Sequence, residues 1–356
     1  MGKSVNILVV DDSQLVRNIL KEIFHSDPDL HVVGEAVNGK EAVRMTRELK
    51  PDIITMDIQM PEMDGFEATE QIMAYTPTPV LVFSSAIDKS EQYTSYKAIS
   101  LGALDNMSKP DITQEGFDLI AETLVRKIKM LSNIKVIPHI RAKLKGTGLE
   151  TKADEKKFTG KKKPPENLKY HLVAMGASTG GPLALAKIFS ALPHGFPVGI
   201  VIVQHISKGF IDSFVEWLGT QTALKVKVAE HGESVSGGTI YFAPDDVQME
   251  VTAKNTILLD KNLPQWGEFK PSVNHLFKSA GRNLGNRAVG VILTGMGEDG
   301  ASGMEEMHRN GSYTIAQNKE TSLIFGMPRA AIESRCVHTV LPLEKIAEEL
   351  MRKINE

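Results

Sequence analysis

The chain is short of cysteine, of aromatic residues and of long apolar runs, and each shortage closes off a class of protein. A single cysteine, Cys336, in 356 residues excludes an internal disulfide framework and a Cys-rich zinc site, and it fits a reducing compartment. No uninterrupted apolar run reaches the roughly 18 residues that would span a bilayer, so no stable membrane insertion is expected. The N-terminus enters a strand pattern by Val5 without the architecture of a secretory signal, which makes the cytoplasm the expected location. Aromatics are only 6 % of the residues and are not interleaved with the main basic run, so a surface that stacks single-stranded nucleic acid is not expected. What is present is length, enough for two domains that each bury a core. The net charge of −3 is unevenly placed, and that unevenness marks the boundary between them.

From Val5 to about Val125, short apolar strands alternate with segments of helical period, the signature of a parallel α/β sheet covered on both faces. The pattern predicts strands at Val5–Val10, His31–Ala36, Ile53–Met56, Val80–Phe83 and Ala103–Met107, with five helices. Leu15, Val16, Ile19, Leu20, Ile23 and Phe24 mark the first helix. In a doubly wound sheet the ligand site lies beyond the carboxyl ends of the strands. There the sequence has Asp11 and Asp12 after strand one, Asp57 after strand three, Ser84 after strand four and Lys109 after strand five. Three converging carboxylates repel each other, so the place should hold a hard cation or a raised pKa. Magnesium with a phosphate suits it. Lys109 would neutralise a phosphoryl oxygen, Ser84 would hydrogen-bond it, and Asp57 would be the nucleophile that accepts it.

At these positions the stretch resembles the receiver domain of bacterial two-component response regulators. The likeness is carried by Asp11-Asp12, by Asp57 in Met-Asp-Ile-Gln-Met-Pro-Glu-Met-Asp-Gly, by Ser84 and by Lys109-Pro110. It implies a flavodoxin-like fold and phosphorylation at Asp57. It further implies magnesium held by Asp11, Asp12, Asp57 and the backbone carbonyl of Gln59, and a cis bond before Pro110. Receivers usually carry an aromatic residue three before the lysine; Asn106 stands there, so the usual aromatic-rotamer switch is not expected to operate in its usual form.

Residues 126 to 169 hold fourteen Lys or Arg against four Asp or Glu, a net of +10 that leaves −13 for the rest of the chain. A basic run between two acidic domains could bind nucleic acid. It has no helix-turn-helix pattern, and a solvated linker that lies against the acidic domains is the better reading. The expected division is therefore 1–125, a linker at 126–168, and 169–356.

The second domain opens on His-Leu-Val-Ala-Met-Gly-Ala-Ser-Thr-Gly-Gly, an apolar strand that runs through a glycine turn into a helix starting near Pro182. Ser178 would sit at that helix N-terminus, where free N–H groups favour a developing oxyanion. A capping serine in a glycine turn explains the same stretch. Strands are also expected at Val198–Gln204, Thr239–Ala243 and Val289–Thr294. His205 and Asp299 follow the first and last of these, so a single parallel sheet can bring Ser178, His205 and Asp299 together as nucleophile, base and orienting acid. Backbone N–H groups of Met296 and Thr179 could hold the oxyanion. Taken singly, His205 reads as a strand-end histidine and Asp299 as a turn residue between Gly297 and Gly300; three strand ends together point to catalysis. Gly176-Ala-Ser178-Thr-Gly180 also fits the nucleophile elbow of α/β-hydrolases. Their chain order would need His338 as base, and Cys336–Val340 alternates like the middle of a strand.

The second domain resembles the catalytic domain of the chemotaxis protein-glutamate methylesterases, and the receiver in front of it extends the match to their whole length. The stretches that carry it are Gly-Ala-Ser-Thr-Gly-Gly at Ser178, Val-Gln-His at His205, Pro-Ser-Val-Asn from Pro271, Leu-Thr-Gly-Met-Gly-Glu-Asp-Gly-Ala at Asp299, Ala-Gln at Gln317 and Phe-Gly-Met-Pro at Met327. Asn274, where aspartate is usual, and Asn310-Gly311, where Gly-Gly is usual, depart from it in ways expected to affect no proposed catalytic group. The resemblance implies a Rossmann-like second domain. It implies hydrolysis of glutamate γ-methyl esters on methyl-accepting chemotaxis receptors, with release of methanol and no cofactor for that step, and deamidation of receptor glutamines by the same acyl chemistry. A chemotaxis histidine kinase would be the phosphodonor, and an unphosphorylated receiver would mask the serine. The alternative is a phospho-switched adaptor whose triad is inert.

Overall fold

The computed structural model describes residues 4–84, 89–109, 114–136, 168–267 and 269–356. Most of the basic linker and the Lys109–Pro110 bond lie outside the described residues. The chain divides into two units, within residues 1–155 and 156–356.

In the first unit, β1 (Val5–Val10), β2 (Leu30–Ala36), β3 (Ile53–Asp57), β4 (Val80–Ser84) and β5 (Asp105–Ser108) alternate with α1 (Gln14–His25), α2 (Gly39–Leu49), α3 (Gly65–Tyr75), α4 (Lys89–Ser100) and α5 (Gln114–Leu131). All neighbouring strands pair parallel, in the order β2-β1-β3-β4-β5. The central strands are buried at every position of β3 and β4, as expected where helices cover both faces. Three helix starts are fixed by side-chain caps: Ser13, Asn38 and Asp64 each accept from a backbone N–H in the first turn, which satisfies a donor the helix itself leaves open. The expected five strands and five helices are all present. Strand β5 begins at Asp105 rather than Ala103, and α5 runs on past 125 to Leu131.

The second unit is built on seven parallel strands in the order β14-β13-β12-β6-β7-β9-β8. They are β6 (Leu172–Ala177), β7 (Gly199–Gln204), β8 (Lys225–Val228), β9 (Thr239–Phe242), β12 (Ala288–Ile292), β13 (Tyr313–Gln317) and β14 (Thr339–Leu341), with an antiparallel pair β10 (Gln248–Val251) and β11 (Ile257–Asp260) beside them. The helices are α6 (Gly181–Ser190), α7 (Ile211–Gly219), α8 (Val273–Leu284), α9 (Ala301–Arg309), α10 (Met327–Glu333) and α11 (Leu343–Ile354). The pattern of the sequence found four of these nine strands. It placed His338 in mid-strand, whereas the strand begins at Thr339 and His338 is engaged with the Thr314 hydroxyl at 2.7 Å. Strand order reverses at β6, which has β7 on one side and β12 on the other. The crevice beyond its carboxyl end is therefore the place where such a sheet accepts a ligand.

Among the described residues, no helix is long and apolar enough to cross a membrane.

Candidate functional site

Ser178 follows β6 directly and is 8 % exposed. The cap of α6 is Gly180, at φ 80°, with Pro182 in the first turn. Ser178 is thus not the capping residue; it stands before the left-handed turn that Gly180 makes possible. Its N–H donates to the Thr294 carbonyl at 3.0 Å and its own carbonyl accepts from Gly181 at 2.7 Å. Thr294 tightens the same turn, since its hydroxyl donates to the Thr179 carbonyl at 2.9 Å, and it is itself fixed by Gln317, whose Oε1 accepts the Thr294 N–H at 2.8 Å. Gly295 must be small here. A Cβ on it would come within 2.8 Å of the Ser178 Cβ and 2.2 Å of the Met327 sulfur.

Strands β6 and β7 pair Ala177 with Gln204, so Ser178 and His205 are each the next residue beyond adjacent strand ends. Buried Gln204 binds them together: its amide nitrogen donates to the Ser178 carbonyl at 2.9 Å and to the His205 carbonyl at 2.8 Å. His205 Nε2 lies 2.9 Å from Asp299 Oδ2. Because an ionised carboxylate only accepts, Nε2 carries the proton and Nδ1 holds a lone pair. That Nδ1 is buried and has no hydrogen-bond partner among the described residues.

Asp299 is 2 % exposed and sits at the N-terminus of α8. Its Oδ1 accepts from the Ser272 hydroxyl at 2.9 Å and the Asn274 N–H at 3.0 Å, and its Oδ2 accepts from the Val273 N–H at 2.7 Å as well as from His205. Burial pushes its carboxyl up, but the hydrogen bond and charge of His205 and the N–H groups of Val273 and Asn274 outweigh burial and hold it below the ordinary carboxylate value. The carboxylate is therefore a fixed negative charge aimed at one nitrogen. The N–H groups of Thr179 and Met296 donate to no acceptor among the described residues, so both remain available to an oxyanion. Sequence reasoning named all five of these residues. It missed the amide bridge of Gln204, the capping of Asp299 by Ser272, and Phe269, whose ring is stacked on His205. The Val-Gln-His and Pro-Ser-Val-Asn stretches contain the first two. No periodicity points to the third.

In the first unit, Asp57 closes β3 fully buried and Asp11 is 1 % exposed. Carboxylate oxygens of Asp11, Asp12 and Asp57 all lie within 4.8 Å of one another. The Lys109 ammonium reaches Asp57 at 2.7 Å and Asp11 at 3.3 Å. Burial raises the Asp11 carboxyl against the lowering effect of Lys109 and the Ser13 N–H. Ser84 ends β4 in register with Ser108, and its carbonyl accepts the Lys109 N–H at 2.9 Å. Gln59 lies two residues beyond Asp57 and is exposed. Arg17, which the sequence did not single out, donates to the carbonyls of Asp11 and Asp12 at 2.7 and 3.1 Å and so holds the acidic turn. Asn106 is buried and donates to the Ser95 hydroxyl at 3.0 Å, so this position is tied to α4 by a polar link. An all-oxygen carboxylate set at this spacing suits a hard divalent cation such as Mg2+.

The description of the CheB methylesterase family matches residues 173–350, and that of the response regulator receiver domain matches residues 7–120. The chain belongs to the CheB methylesterase family. Within the family it is 44 % identical over 354 residues to a protein-glutamate methylesterase/protein-glutamine glutaminase of Syntrophus aciditrophicus, with 98 % of each chain covered. It is 40 % identical over 353 residues to the like-named protein of Nitrosospira multiformis, covering 99 % of this chain and 98 % of that one. Among solved structures, the CheB methylesterase catalytic domain of Thermotoga maritima matches with a TM-score of 0.50 and 39 % identity, over 51 % of this chain and 98 % of that chain. The family, the receiver in front of the catalytic domain and the parallel-sheet architecture expected from the sequence all stand.

Proposed function

We propose that Ser178, His205 and Asp299 form the catalytic triad of a protein-glutamate methylesterase that also deamidates glutamine, acting on methyl-accepting chemotaxis receptors in the cytoplasm. The observation that carries this reading is the His205 Nε2–Asp299 contact of 2.9 Å, which leaves Nδ1 as the lone pair beside the strand end that bears Ser178. Nδ1 takes the Ser178 proton as Oγ attacks the ester carbonyl, and the Thr179 and Met296 N–H groups receive the oxyanion. Methanol leaves with the proton from Nδ1. Water activated by the same nitrogen then cleaves the glutamyl-enzyme and regenerates Ser178. Free N–H groups and an imidazole whose charge is balanced by a fixed carboxylate suffice for each step.

Control comes from the first unit. Asp57 is the phosphoacceptor, Ser84 and Lys109 contact the phosphoryl oxygens, and Asp11, Asp12, Asp57 and the Gln59 carbonyl would hold Mg2+. The ion would offset the charge of the incoming phosphoryl group. A chemotaxis histidine kinase supplies the phosphate. The receiver restrains the esterase until Asp57 is phosphorylated, and a hundredfold release needs only about 2.7 kcal/mol of differential stabilisation. The division into receiver at 1–125, basic linker at 126–168 and esterase at 169–356 belongs to this proposal, with the receiver's last helix running on to Leu131.

The test is methanol release from membranes that bear methylated receptors, with and without Mg2+ and a small phosphodonor. Release that rises with the donor is expected. Release indifferent to the donor keeps the enzyme and discards the switch, and no release from folded protein discards the triad in favour of an adaptor. Removing residues 1–130 should raise basal release; an unchanged rate argues against restraint by the receiver.

A further inference from the structure

A single hydrogen bond does not orient an imidazole. With Nε2 tied to Asp299, the ring of His205 can still pivot about that contact and change the direction in which Nδ1 points. The ring of Phe269 blocks this pivot. It lies on the face of His205 with centroids 3.8 Å apart and planes within 3° of parallel, so any rotation of the imidazole out of its plane drives an edge into the phenyl face.

Phe269 is itself held on both sides. Its N–H donates to the Trp266 carbonyl at 3.0 Å and its carbonyl accepts from the Trp266 N–H at 3.1 Å, a reciprocal pair that ties the two residues together. The Lys278 ammonium sits 3.9 Å over the Trp266 ring and anchors the outer side of the pair to α8. On the inner side, fully buried Gln248 donates to the Pro264 carbonyl at 3.0 Å and accepts the Ser272 N–H at 2.8 Å. Ser272, Val273 and Asn274, which follow in the same run, are the groups that donate to Asp299. One continuous segment thus sets both partners of His205, the ring on its face and the carboxylate at its edge.

We propose that Phe269 is a positioning residue for the esterase reaction: its stacked ring fixes the plane of His205 so that the Nδ1 lone pair is presented on the Ser178 side, and it keeps water off that face. The inference rests on the reading of His205 as the base. Phe269 moves no proton and is placed to act through the imidazole it covers, so its removal should lower turnover without weakening substrate binding. A ring no longer held in its plane should also break from Asp299 part of the time, and in that fraction the proton is free to sit on Nδ1.

The test uses the full chain carrying Phe269→Leu, Phe269→Met or Phe269→Tyr. Steady-state methanol release gives kcat and KM, and nitrogen chemical shifts of the His205 ring in substrate-free protein give the tautomer. Phe269→Tyr keeps a planar ring and should keep kcat within about twofold. Phe269→Leu and Phe269→Met keep apolar cover without a plane, and each should lower kcat about tenfold at nearly constant KM, with the Nδ1–H tautomer becoming detectable. Wild-type kcat with an unchanged tautomer in both aliphatic variants overturns the proposal, as does a rise in KM alone, which would make Phe269 a substrate contact. If the unsubstituted protein releases no methanol, the esterase reading fails by itself, while the tautomer comparison still decides whether Phe269 orients His205.

Discussion

Asp57 and Asp299 are both carboxylates buried near the carboxyl ends of parallel strands, and their partners are of opposite kinds. Asp299 accepts four hydrogen bonds, two of them from N–H groups at the start of a helix, within 3.0 Å. Asp57 faces the Lys109 ammonium at 2.7 Å and has two other carboxylates nearby. Donors built into a helix terminus cannot be exchanged, which suits Asp299 to the role proposed for it, holding and balancing an imidazole. An ammonium on a flexible stem can give way to another cation or shift to a phosphoryl oxygen, which leaves Asp57 the freedom that the proposed bond formation needs. Burial alone does not separate the two aspartates; the kind of donor facing each one does.

The largest effects should come from breaking the rigid side of this comparison. Ser178→Ala should lower kcat on the order of 10⁶-fold, and Asp299→Asn about 10⁴-fold because the amide favours the wrong tautomer, while Mg2+-dependent phosphoryl uptake from a small donor stays normal. Either variant keeping a tenth of its methanol release would refute the triad. Next, Asp57→Asn should abolish the stimulation by phosphodonor, roughly a hundredfold if restraint is as strong as proposed, and leave basal release in place; chelation of Mg2+ should have the same outcome. Gln204→Leu removes the donor that links the Ser178 and His205 carbonyls, and a displacement of either group by about 1 Å should cost on the order of 10²-fold in kcat.

The smallest effect is one of pH. Asp299 titrates below its unfolded value, so between the two values the unfolded chain binds more protons and stability rises with pH. Its contribution is complete above about pH 3.9 and is lost only as the pH falls through the depressed folded value. The stability gap between the unsubstituted protein and Asp299→Asn should therefore be flat at neutral pH and close only below about 4. Urea unfolding followed by the fluorescence of Trp217 and Trp266 would read this, because the chain's two tryptophans both lie in the second unit. A gap that closes between pH 7 and 5 would assign the effect to another group.

Much of this is legible in the sequence alone. Strands buried on both faces read as unbroken apolar runs, and the polar residues that end them stood out for that reason: Asp11, Asp57, Ser84, Ser178 and His205. The strands that escaped notice lack that signature. Lys225–Val228 alternates charge along an edge of the sheet and is exposed or half-buried throughout, Tyr313–Gln317 has Thr314 within its short apolar run, and the β10–β11 pair carries Glu250 and Asp260 within its apolar pattern; Thr339–Leu341 was read only as part of a longer alternation from Cys336 and is three residues long. Geometry among side chains was not legible at all. A sequence can bring His205 and Asp299 to one crevice by topology, but which ring nitrogen faces the acid and which aromatic ring lies on the imidazole depend on the path of the 264–274 segment, where no period operates.

The order of strands has a further consequence, for how the protein is made. The strand that bears Ser178 is central in its sheet, yet one of its two edges is covered only when Leu172 pairs with Ala288, more than a hundred residues later. Until then a wholly apolar strand has an open edge, a state prone to wrong pairing. Contacts of such long range also make for slow folding. Asp299 lies beyond that last covering strand, so the triad proposed above gains its acid only after most of the second unit has been synthesised, and a chain that stops short of it would carry Ser178 and His205 without Asp299.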